Sequence, residues 1–202
     1  MLLFKRQFYL LQKDTEEKII NIKDLKLVGE HNYQNVMAGI ITAKIIGLSN
    51  EQIEERLRTF NPPEHRCEFV KTINGISFYN DSKATNPEAA IVAIKAFENK
   101  NLTLIAGGRD KNTDLTEFCS YVNKFVKTVI LIGEATQRFN EELNKNGFAN
   151  IIFANSLQEA IDKSIEINSE IVLLSPACAS FDMFNSFEHR GEVFKDYVKS
   201  KE

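Results

Sequence analysis

The sequence predicts an α/β fold in which helices cover both faces of a mainly parallel β-sheet. From about residue 68, segments typical of strands alternate with segments typical of helices. Several strand segments, among them LTLIAGG, TVILIGEA and EIVLLSP, are continuous apolar runs, as expected for strands buried on both faces. Ligands of such sheets bind beyond the carboxyl ends of the strands, so the polar segments found there are the candidate site.

The predicted elements of this region follow one another in a regular order. GISFYN is a strand, and NPEAAIVAIKAFEN is a helix with a proline in its first turn. LTLIAGG precedes the helix DLTEFCSYVNKFV, and TVILIGEA precedes the helix TQRFNEELNKNG, which Gly147 closes. The alternation continues as strand, helix, strand and helix in NIIFAN, SLQEAIDKSIEI, EIVLLSP and FEHRGEVFKDYVKS.

The first sixty or so residues have a different pattern. RQFYLLQ and KIINIKDLKL are predicted as strands, and HNYQNVMAGIITAKIIG and SNEQIEERLRTF as two helices. Asn61, Pro62 and Pro63 then interrupt the chain, because proline ends helices and stiffens the residues around it. We therefore predict two domains, residues 1–62 and 63–202. The first is small for an independent core and is interpreted as the end of something larger.

Composition excludes several classes of function. The net charge is −3 and there is no dense Lys/Arg stripe interleaved with aromatic residues, so no nucleic-acid partner is predicted. Cys67, Cys119 and Cys178 are odd in number and form no CxxC pair, which argues against a metal site and a disulfide framework and favours a reducing compartment. No apolar run has the length of a membrane span, and the N-terminus lacks the pattern of a signal peptide. A cytoplasmic protein without a membrane partner is the prediction.

The segment NDSKATNP lies between a predicted strand and a predicted helix. Backbone N–H groups at a helix start favour an anion, and Lys83 and Thr85 would add charge-assisted hydrogen bonds to it. Asn80, Asp81 and Asn86 could instead serve only to turn the chain and cap the helix. On these residues alone the two interpretations have about even weight.

Two further segments follow predicted strands. GGRDKNTD carries Lys111 behind two glycines that would let the backbone approach a ligand, although a simple turn with a solvated lysine would have the same pattern. It is not a nucleotide phosphate loop, because the sequence contains no Gly-Lys dipeptide. In SPACASFDMFNSFEHRG, Ser180 could bond a carboxylate and Phe187 could wall a pocket. Cys178 has no adjacent histidine to activate it and is expected to be a buried filler, and His189 an exposed helix residue.

The segments HNYQN and HRCE are polar clusters beside apolar stretches. Asn32 and Asn35 are three residues apart and share a helix face, so their amides could read a base or a hydroxyl, although N-capping would explain one of them. Arg66 could clamp a phosphate or make a surface ion pair.

The order of these segments closely resembles the C-terminal part of the Mur ligases. Within that family the pattern is most similar to the members that add D-glutamate to UDP-N-acetylmuramoyl-L-alanine, and the resemblance extends from about Leu27 to Val198. It implies an ATP-dependent amide ligase of peptidoglycan synthesis. ATP would phosphorylate the alanyl carboxylate, and the D-glutamate amine would attack the acyl phosphate. The implied fold is a Rossmann-like amino-acid-binding domain, preceded by a small α+β remnant of the central ATP-binding domain.

The resemblance also implies roles for individual residues. Two carboxylates on the incoming amino acid require paired lysines and hydroxyls. The D-glutamate-binding residues would be Lys83, Thr85, Lys111, Ser180, Phe181 and Phe187. The residues contacting ATP would be Asn32, Asn35, His65, Arg66 and Asp81, with Asp81 as a ribose hydroxyl acceptor and Arg66 as a phosphate clamp.

The departure from the family is large. A complete ligase has a UDP-binding domain and a central domain with a Gly-Lys-Thr loop, Mg²⁺ ligands and a carbamylated lysine, and these 202 residues contain none of them. The hypothesis is a partial ligase with no complete set of catalytic residues, which needs its missing domains. One alternative is a non-catalytic module that binds a nucleotide or an acidic amino acid. Another is a ligase for a different residue, such as the L-alanine-adding enzyme or folylpolyglutamate synthase, against which Lys83, Thr85 and Lys111 together with SPACAS argue.

Overall fold

The computed structural model describes the backbone of residues 2–4, 7–12 and 15–201 and the side chains of residues 17–30 and 32–201. The chain divides into two compact units, Met1–Pro62 and Pro63–Glu202. Across the part of the chain that is described, none of the helices is both long and apolar enough to cross a membrane.

The first unit is a small α+β structure. Its three-stranded antiparallel sheet has the order β1-β2-β3, and its helices pack Val36, Ile40 and Ile53 against Ile19 and Ile20 of the last strand. The elements are β1 (Leu2–Phe4), β2 (Gln7–Gln12), β3 (Thr15–Asn21), a 3₁₀ turn (Ile22–Asp24), α1 (Glu30–Ile45) and α2 (Asn50–Thr59).

Two predicted elements of this unit differ from the structure. The strand predicted over RQFYLLQ is β2, except that Arg6 lies outside the described residues. The strand predicted over KIINIKDLKL ends at Asn21, because the Asn21 side chain accepts a hydrogen bond from the N–H of Lys23 and starts the 3₁₀ turn. Helix α2 begins as predicted, with Ser49 and Gln52 forming a capping box.

The second unit confirms the predicted α/β fold. A six-stranded sheet has the order β4-β5-β9-β6-β7-β8, in which β4 is antiparallel to β5 and all other neighbours are parallel. Its elements are β4 (Glu68–Ile73), β5 (Ile76–Asn80), α3 (Pro87–Ala96), β6 (Leu102–Gly107), α4 (Thr116–Phe125), β7 (Val126–Ile132), α5 (Thr136–Lys145), β8 (Ile151–Phe153), α6 (Leu157–Ile165), β9 (Ile171–Leu174) and α7 (Phe187–Ser200).

Strand β4 is an element that the sequence reasoning missed. It forms a hairpin with β5 through Asn74 and Gly75, whose φ angles of 50° and 84° are both positive. An Asn-Gly pair between two strands is a strong hairpin signal, because its residues tolerate the left-handed region that a tight turn needs. The signal was therefore present in EFVKTINGISFYN.

Helices cover both faces of this sheet. On one face, Phe78 of β5 and Val172 of β9 pack in a cluster with residues of α6 and with Phe194 of α7. On the other face, the next residue of β5, Tyr79, lies against Phe97 at the end of α3, with ring centroids 4.7 Å apart. The alternation along β5 thus sends successive side chains to opposite layers.

The topology determines where polar groups converge. Strand β9 is the last strand in sequence, yet it lies between β5 and β6. Because β5 continues into α3 on one face and β9 continues into α7 on the other, the chain leaves these neighbouring strands in opposite directions. Such a switch point leaves a crevice at the carboxyl ends of the strands. The turns after β5, β6 and β9 all lie at this edge.

Candidate functional site

A buried carboxylate joins the ends of β5 and β9. The Asp81 N–H donates to the Leu174 carbonyl at 2.8 Å, and the Ser175 hydroxyl donates to Asp81 Oδ2 at 2.7 Å. The N–H of Cys67 donates to Asp81 Oδ1 at 3.2 Å. Burial raises the pKa of Asp81 to about 7, although both hydrogen bonds lower it. Asp81 is 7% exposed, so a ribose hydroxyl would have to share oxygens that already have partners in the protein.

The turn after β5 separates structural side chains from an exposed cation. Asn80 Oδ1 accepts the N–H of Ser82 at 3.1 Å, and Asn86 Oδ1 accepts the N–H of Ala89 at 2.8 Å, which caps α3. Lys83 is exposed, and its Nζ lies 5.1 Å from the centroid of the Phe187 ring, a cation–π contact. The capping interpretation is therefore correct for Asn86 and does not involve the Lys83 side chain.

Arg190 ties the turns after β5 and β9 together. This residue of α7 is 1% exposed. Its guanidinium donates to Ser82 Oγ at 2.9 Å, to the Ser82 carbonyl at 2.8 Å, to the Cys178 carbonyl at 3.1 Å and to the Ala179 carbonyl at 3.3 Å. Burial lowers the pKa of Arg190 to about 10, which still leaves it charged at neutral pH.

The turn after β6 is packed against neighbouring strands. Gly107 and Gly108 have φ angles of 110° and 134°, and a Cβ would lie 2.1 Å from the Ile132 carbonyl oxygen at Gly107 and 2.4 Å from the Ala179 carbonyl oxygen at Gly108. Protein backbone thus occupies the space beside both glycines. The close approach seen at both glycines is to protein backbone, and the approach of a ligand to this turn stays a prediction.

Lys111 projects from the loop that follows. It is exposed, and Arg138 of α5 holds the loop by an ion pair with Asp110 at 3.4 Å and a hydrogen bond to the Thr113 carbonyl. The N–H of Arg109 also donates to the Ala179 carbonyl at 2.9 Å, which attaches the start of the loop to the turn after β9.

His65 is buried in the second unit. It is 5% exposed, its backbone has a φ of 62°, and its carbonyl accepts the N–H of Lys83 at 3.1 Å. A Cβ on Gly191 would lie 2.1 Å from His65 Nδ1, so the glycine in α7 makes room for this ring. The His65 ring meets the Phe187 ring edge-on with centroids 6.0 Å apart, and Arg66 beside it is exposed.

Glu64, His65 and Glu192 form a group that has the composition of a metal site. Their ligand atoms lie within 4.8 Å of one another. However, the ammonium of Lys195 lies 2.9 Å from Glu192 and 3.8 Å from Glu64, so a protein cation is already paired with these carboxylates.

The hydrogen bonds of His65 also disagree with metal binding. Asn80 Nδ2 lies 2.9 Å from His65 Nδ1 and 3.1 Å from Glu68 Oε2, while Asn80 Oδ1 accepts the N–H of Ser82. The amide orientation follows from these partners, so Nδ1 accepts and a neutral ring carries its proton on Nε2, the nitrogen that faces the group. The residues therefore do not fit a divalent cation.

The turn after β9 contains one exposed and several buried residues. Ser180 is buried, whereas the Phe181 side chain is 66% exposed. Cys178 is buried as predicted, and burial raises its pKa to about 12, so it is a neutral thiol and a poor nucleophile. His189 is exposed on α7 as predicted.

Asn32 and Asn35 lie in the first unit, in helix α1. The N-cap of this helix is Gly29, and no side chain caps it, so N-capping explains neither asparagine. The Asn32 amide donates to the Val28 carbonyl at 2.7 Å, and Asn35 is exposed. The side chain of His31, in the same predicted cluster, lies outside the described residues.

The predicted residues of the second unit differ in burial. Asp81, His65 and Ser180 are buried where the turns meet, Thr85 and Phe187 are half-buried, and Lys83, Lys111, Arg66 and Phe181 are exposed. Ser82 and Arg190 were not predicted, although they connect the turns. No local pattern marked either residue. Gly191, a glycine inside a helix, indicates close packing, but its close neighbours are His65 and Asn80.

Comparisons with known proteins agree on one family. A family model described as Mur ligase, glutamate ligase domain, matches residues 65–178. A UDP-N-acetylmuramoylalanine–D-glutamate ligase of Caldicellulosiruptor bescii is 46% identical over 193 residues, which are 95% of this chain and 42% of that protein. A protein of the same description from Caldanaerobacter subterraneus is 44% identical over 198 residues, 96% of this chain and 43% of its own length. The chain thus spans about two fifths of the length of these relatives.

Solved structures share the fold at low identity. The MurC ligase of Thermotoga maritima superposes with a TM-score of 0.64 at 19% identity over 94% of this chain and 41% of its own. A MurF structure from Acinetobacter baumannii has a TM-score of 0.68 at 17% identity, covering 96% of this chain and 42% of that one. The folylpolyglutamate synthase of T. maritima has a TM-score of 0.64 at 20% identity, covering 96% and 44%.

Proposed function

Because the chain belongs to the Mur ligase family and carries its glutamate ligase domain, we propose that it is the amino-acid-binding part of an ATP-dependent ligase. The reaction would join D-glutamate to UDP-N-acetylmuramoyl-L-alanine through an acyl phosphate, for peptidoglycan synthesis in the cytoplasm. The names of the relatives that are 44–46% identical support this choice of amino acid.

One observation carries the proposal. Lys83 follows β5 and Lys111 lies in the loop after β6, and these are the two strands that flank β9, after which Ser180 and Phe181 follow. Both lysines are exposed, so their ammonium groups are free to meet an anion at the carboxyl edge of the sheet. A dicarboxylic amino acid carries two carboxylates, and each lysine would bind one of them.

The remaining predicted residues would shape this site. The hydroxyl groups of Thr85 and Ser180 would hydrogen-bond to the carboxylates, and the rings of Phe181 and Phe187 would exclude water from one side. The bound D-glutamate would then present its amine, and the chain's contribution to catalysis would be to orient that amine for attack.

Nucleotide contact is the second part of the proposal. Arg66 is exposed, so its guanidinium would reach a phosphate of the nucleotide. Asp81 would accept a hydrogen bond from a ribose hydroxyl. The buried His65 would support the turn after β5, which contains Asp81. In the first unit, taken by itself, Asn32 and Asn35 of helix α1 are proposed as nucleotide contacts. ATP would supply the phosphoryl group together with Mg²⁺. The group Glu64, His65 and Glu192 does not fit that ion, so its ligands would come from elsewhere in the complete ligase.

A titration of the purified chain with D-glutamate tests the amino-acid site. Amide NMR shifts at the turns after β5, β6 and β9 are expected with D-glutamate, with weaker ones for L-glutamate. Lys111→Ala should weaken binding about tenfold or more, since a charge-assisted hydrogen bond contributes about 1.5–3 kcal/mol. Lys145→Ala, which removes an exposed lysine from α5, is the matched control and should leave the affinity unchanged. Equal shifts with both isomers, or equal affinity in both variants, would contradict the proposed site.

A fusion tests catalysis and separates the ligase from a binding module. The part of the C. bescii relative that precedes the segment matched by this chain would be joined to residues 1–202. Phosphate release that requires both D-glutamate and UDP-N-acetylmuramoyl-L-alanine is expected, and Lys111→Ala in the fusion should lower it. Binding of D-glutamate by a soluble, folded fusion that releases no phosphate would favour the non-catalytic module.

A further inference from the structure

The hydroxyl of Ser82 lies where the turn after β5 meets helix α7. It is fully buried, it donates to the Phe187 carbonyl at 2.8 Å, and it accepts from Arg190 Nε at 2.9 Å. A carbonyl can only accept and a guanidinium can only donate, so the direction of both hydrogen bonds is unambiguous. The hydroxyl therefore has a single orientation, which connects the turn after β5 to the first residue of α7.

Arg190 extends the same connection to the turn after β9. Its two terminal nitrogens donate to the carbonyls of Ser82, Cys178 and Ala179, which belong to different turns. A planar guanidinium holds several acceptors in fixed relative positions, which a lysine cannot do. One buried side chain thus sets the spacing between the turn that carries Lys83 and the turn that carries Ser180.

The contact most sensitive to this spacing is the one between Lys83 and Phe187. Lys83 follows Ser82 directly, and its Nζ lies 5.1 Å from the Phe187 ring centroid. The carbonyl that Ser82 bonds belongs to Phe187 itself. The hydroxyl therefore fixes the backbone on both sides of the cation–π pair. Loss of this hydrogen bond would let the lysine and the ring separate without unfolding the sheet.

From this geometry we infer that Ser82 and Arg190 are positioning residues for the acidic-ligand site. They would act by holding Lys83 over Phe187, with the turn that carries Ser180 at a fixed distance. The inference rests on the proposed function, in that the ligand is an acidic amino acid. The competing account is a purely structural role, in which the two residues contribute to the stability of the domain and to nothing else.

The test compares Ser82→Ala with Ser164→Ala. Ser164 of α6 is also fully buried, and its hydroxyl donates to the Ile161 carbonyl at 2.7 Å, so both variants lose a buried serine-to-backbone hydrogen bond. Three quantities are measured in the 202-residue chain. They are the urea midpoint of unfolding, the dissociation constant for D-glutamate by NMR, and the chemical shift of the Lys83 ε-methylene protons, which the Phe187 ring current moves upfield.

The expected result separates the two variants. Ser82→Ala should weaken D-glutamate binding about tenfold, the effect of one hydrogen bond, and should move the Lys83 methylene shift towards its value in an unstructured peptide. Ser164→Ala should lower the urea midpoint while leaving the affinity within about twofold and the Lys83 shift unchanged. If both variants lower stability but neither moves the Lys83 shift, the positioning role is overturned.

Two further arms keep the inference testable. If Ser82→Ala does not fold, Ser82→Cys keeps the side-chain volume but offers only a weak donor and acceptor, and should move the Lys83 shift partway. Arg190→Lys keeps the positive charge but loses the planar guanidinium with its several donors, and should move the Lys83 shift in the same direction. If the unaltered chain does not bind D-glutamate, the proposed function fails. The Lys83 shift still decides whether Ser82 positions that lysine, because it requires no ligand.

Discussion

The substitution Asp81→Asn should make the stability of this chain less dependent on pH. Asp81 is buried between the Ser175 hydroxyl and the Cys67 N–H, and burial raises its pKa from 3.8 to about 7. Asparagine fits the same place, since its oxygen can accept from Cys67 and the Ser175 hydroxyl can rotate to accept from its amide. The substitution removes the ionisable group and keeps both partners.

The sign and size of the effect follow from the two pKa values. The folded state binds the Asp81 proton more tightly than the unfolded state, so this stabilising contribution is complete below pH 3.8 and is lost as the pH rises through 7. A difference of about three pKa units corresponds to roughly 4 kcal/mol when the loss is complete. From pH 5 to pH 8, the free energy of unfolding of Asp81→Asn should therefore rise by about 2–3 kcal/mol relative to that of the unaltered chain.

Urea denaturation of both proteins at pH 5, 6, 7 and 8 measures this difference. Other titrating groups contribute equally to both, so they cancel in the comparison. Asp196→Asn on the exposed side of α7 is the control for exchanging an aspartate for an asparagine, because it leaves Asp81 in place. Parallel pH profiles for Asp81→Asn and the unaltered chain would refute the reasoning, because they would mean that the folded state does not penalise the Asp81 charge.

Further substitutions test helix packing and helix capping. Gly191→Ala should destabilise by several kcal/mol, since its Cβ would lie 2.1 Å from His65 Nδ1, whereas Gly39→Ala in α1, with nothing within 4 Å, should stabilise by about 0.5–1 kcal/mol. Thermal unfolding measures both, and an unchanged midpoint for Gly191→Ala would mean that the His65 ring moves aside freely. Asn86→Ala should lower the free energy of unfolding, measured by urea denaturation, by about 1 kcal/mol. The reason is that the Ala89 N–H at the start of α3 loses the side-chain oxygen that caps it. A loss no larger than for Asn86→Gly would show that the side-chain oxygen contributes little.

The parts of the fold that could be predicted are those that residues close together in sequence determine. The fully buried strand β6 is a continuous apolar run, and α3 begins at Pro87 behind an asparagine cap, so both could be assigned from neighbouring residues. The turn at Asn74 and Gly75 was just as local. Strand β4 was missed because EFVKTI mixes apolar with charged and polar residues, so no continuous apolar run marks it.

The roles of Arg190 and the glycines after β6 could not be predicted in this way. Arg190 meets Ser82 across 108 positions of sequence, and Gly108 is required by the backbone of Ala179, which belongs to a later turn. A charged residue in a helix is normally exposed, so nothing in its neighbourhood marks Arg190 as buried. Such contacts follow from the order of the strands, which the hydrophobic pattern alone leaves open.

The central position of β9 has a consequence for how this chain is made. Strands β5 and β6 are synthesised before β9 (Ile171–Leu174), yet each of them pairs with it. Until that strand emerges from the ribosome, the nascent sheet has a gap between two apolar strands, and residues 63–170 expose edges that favour misassembly. A deletion of β9 would therefore remove the middle of the sheet, not its end.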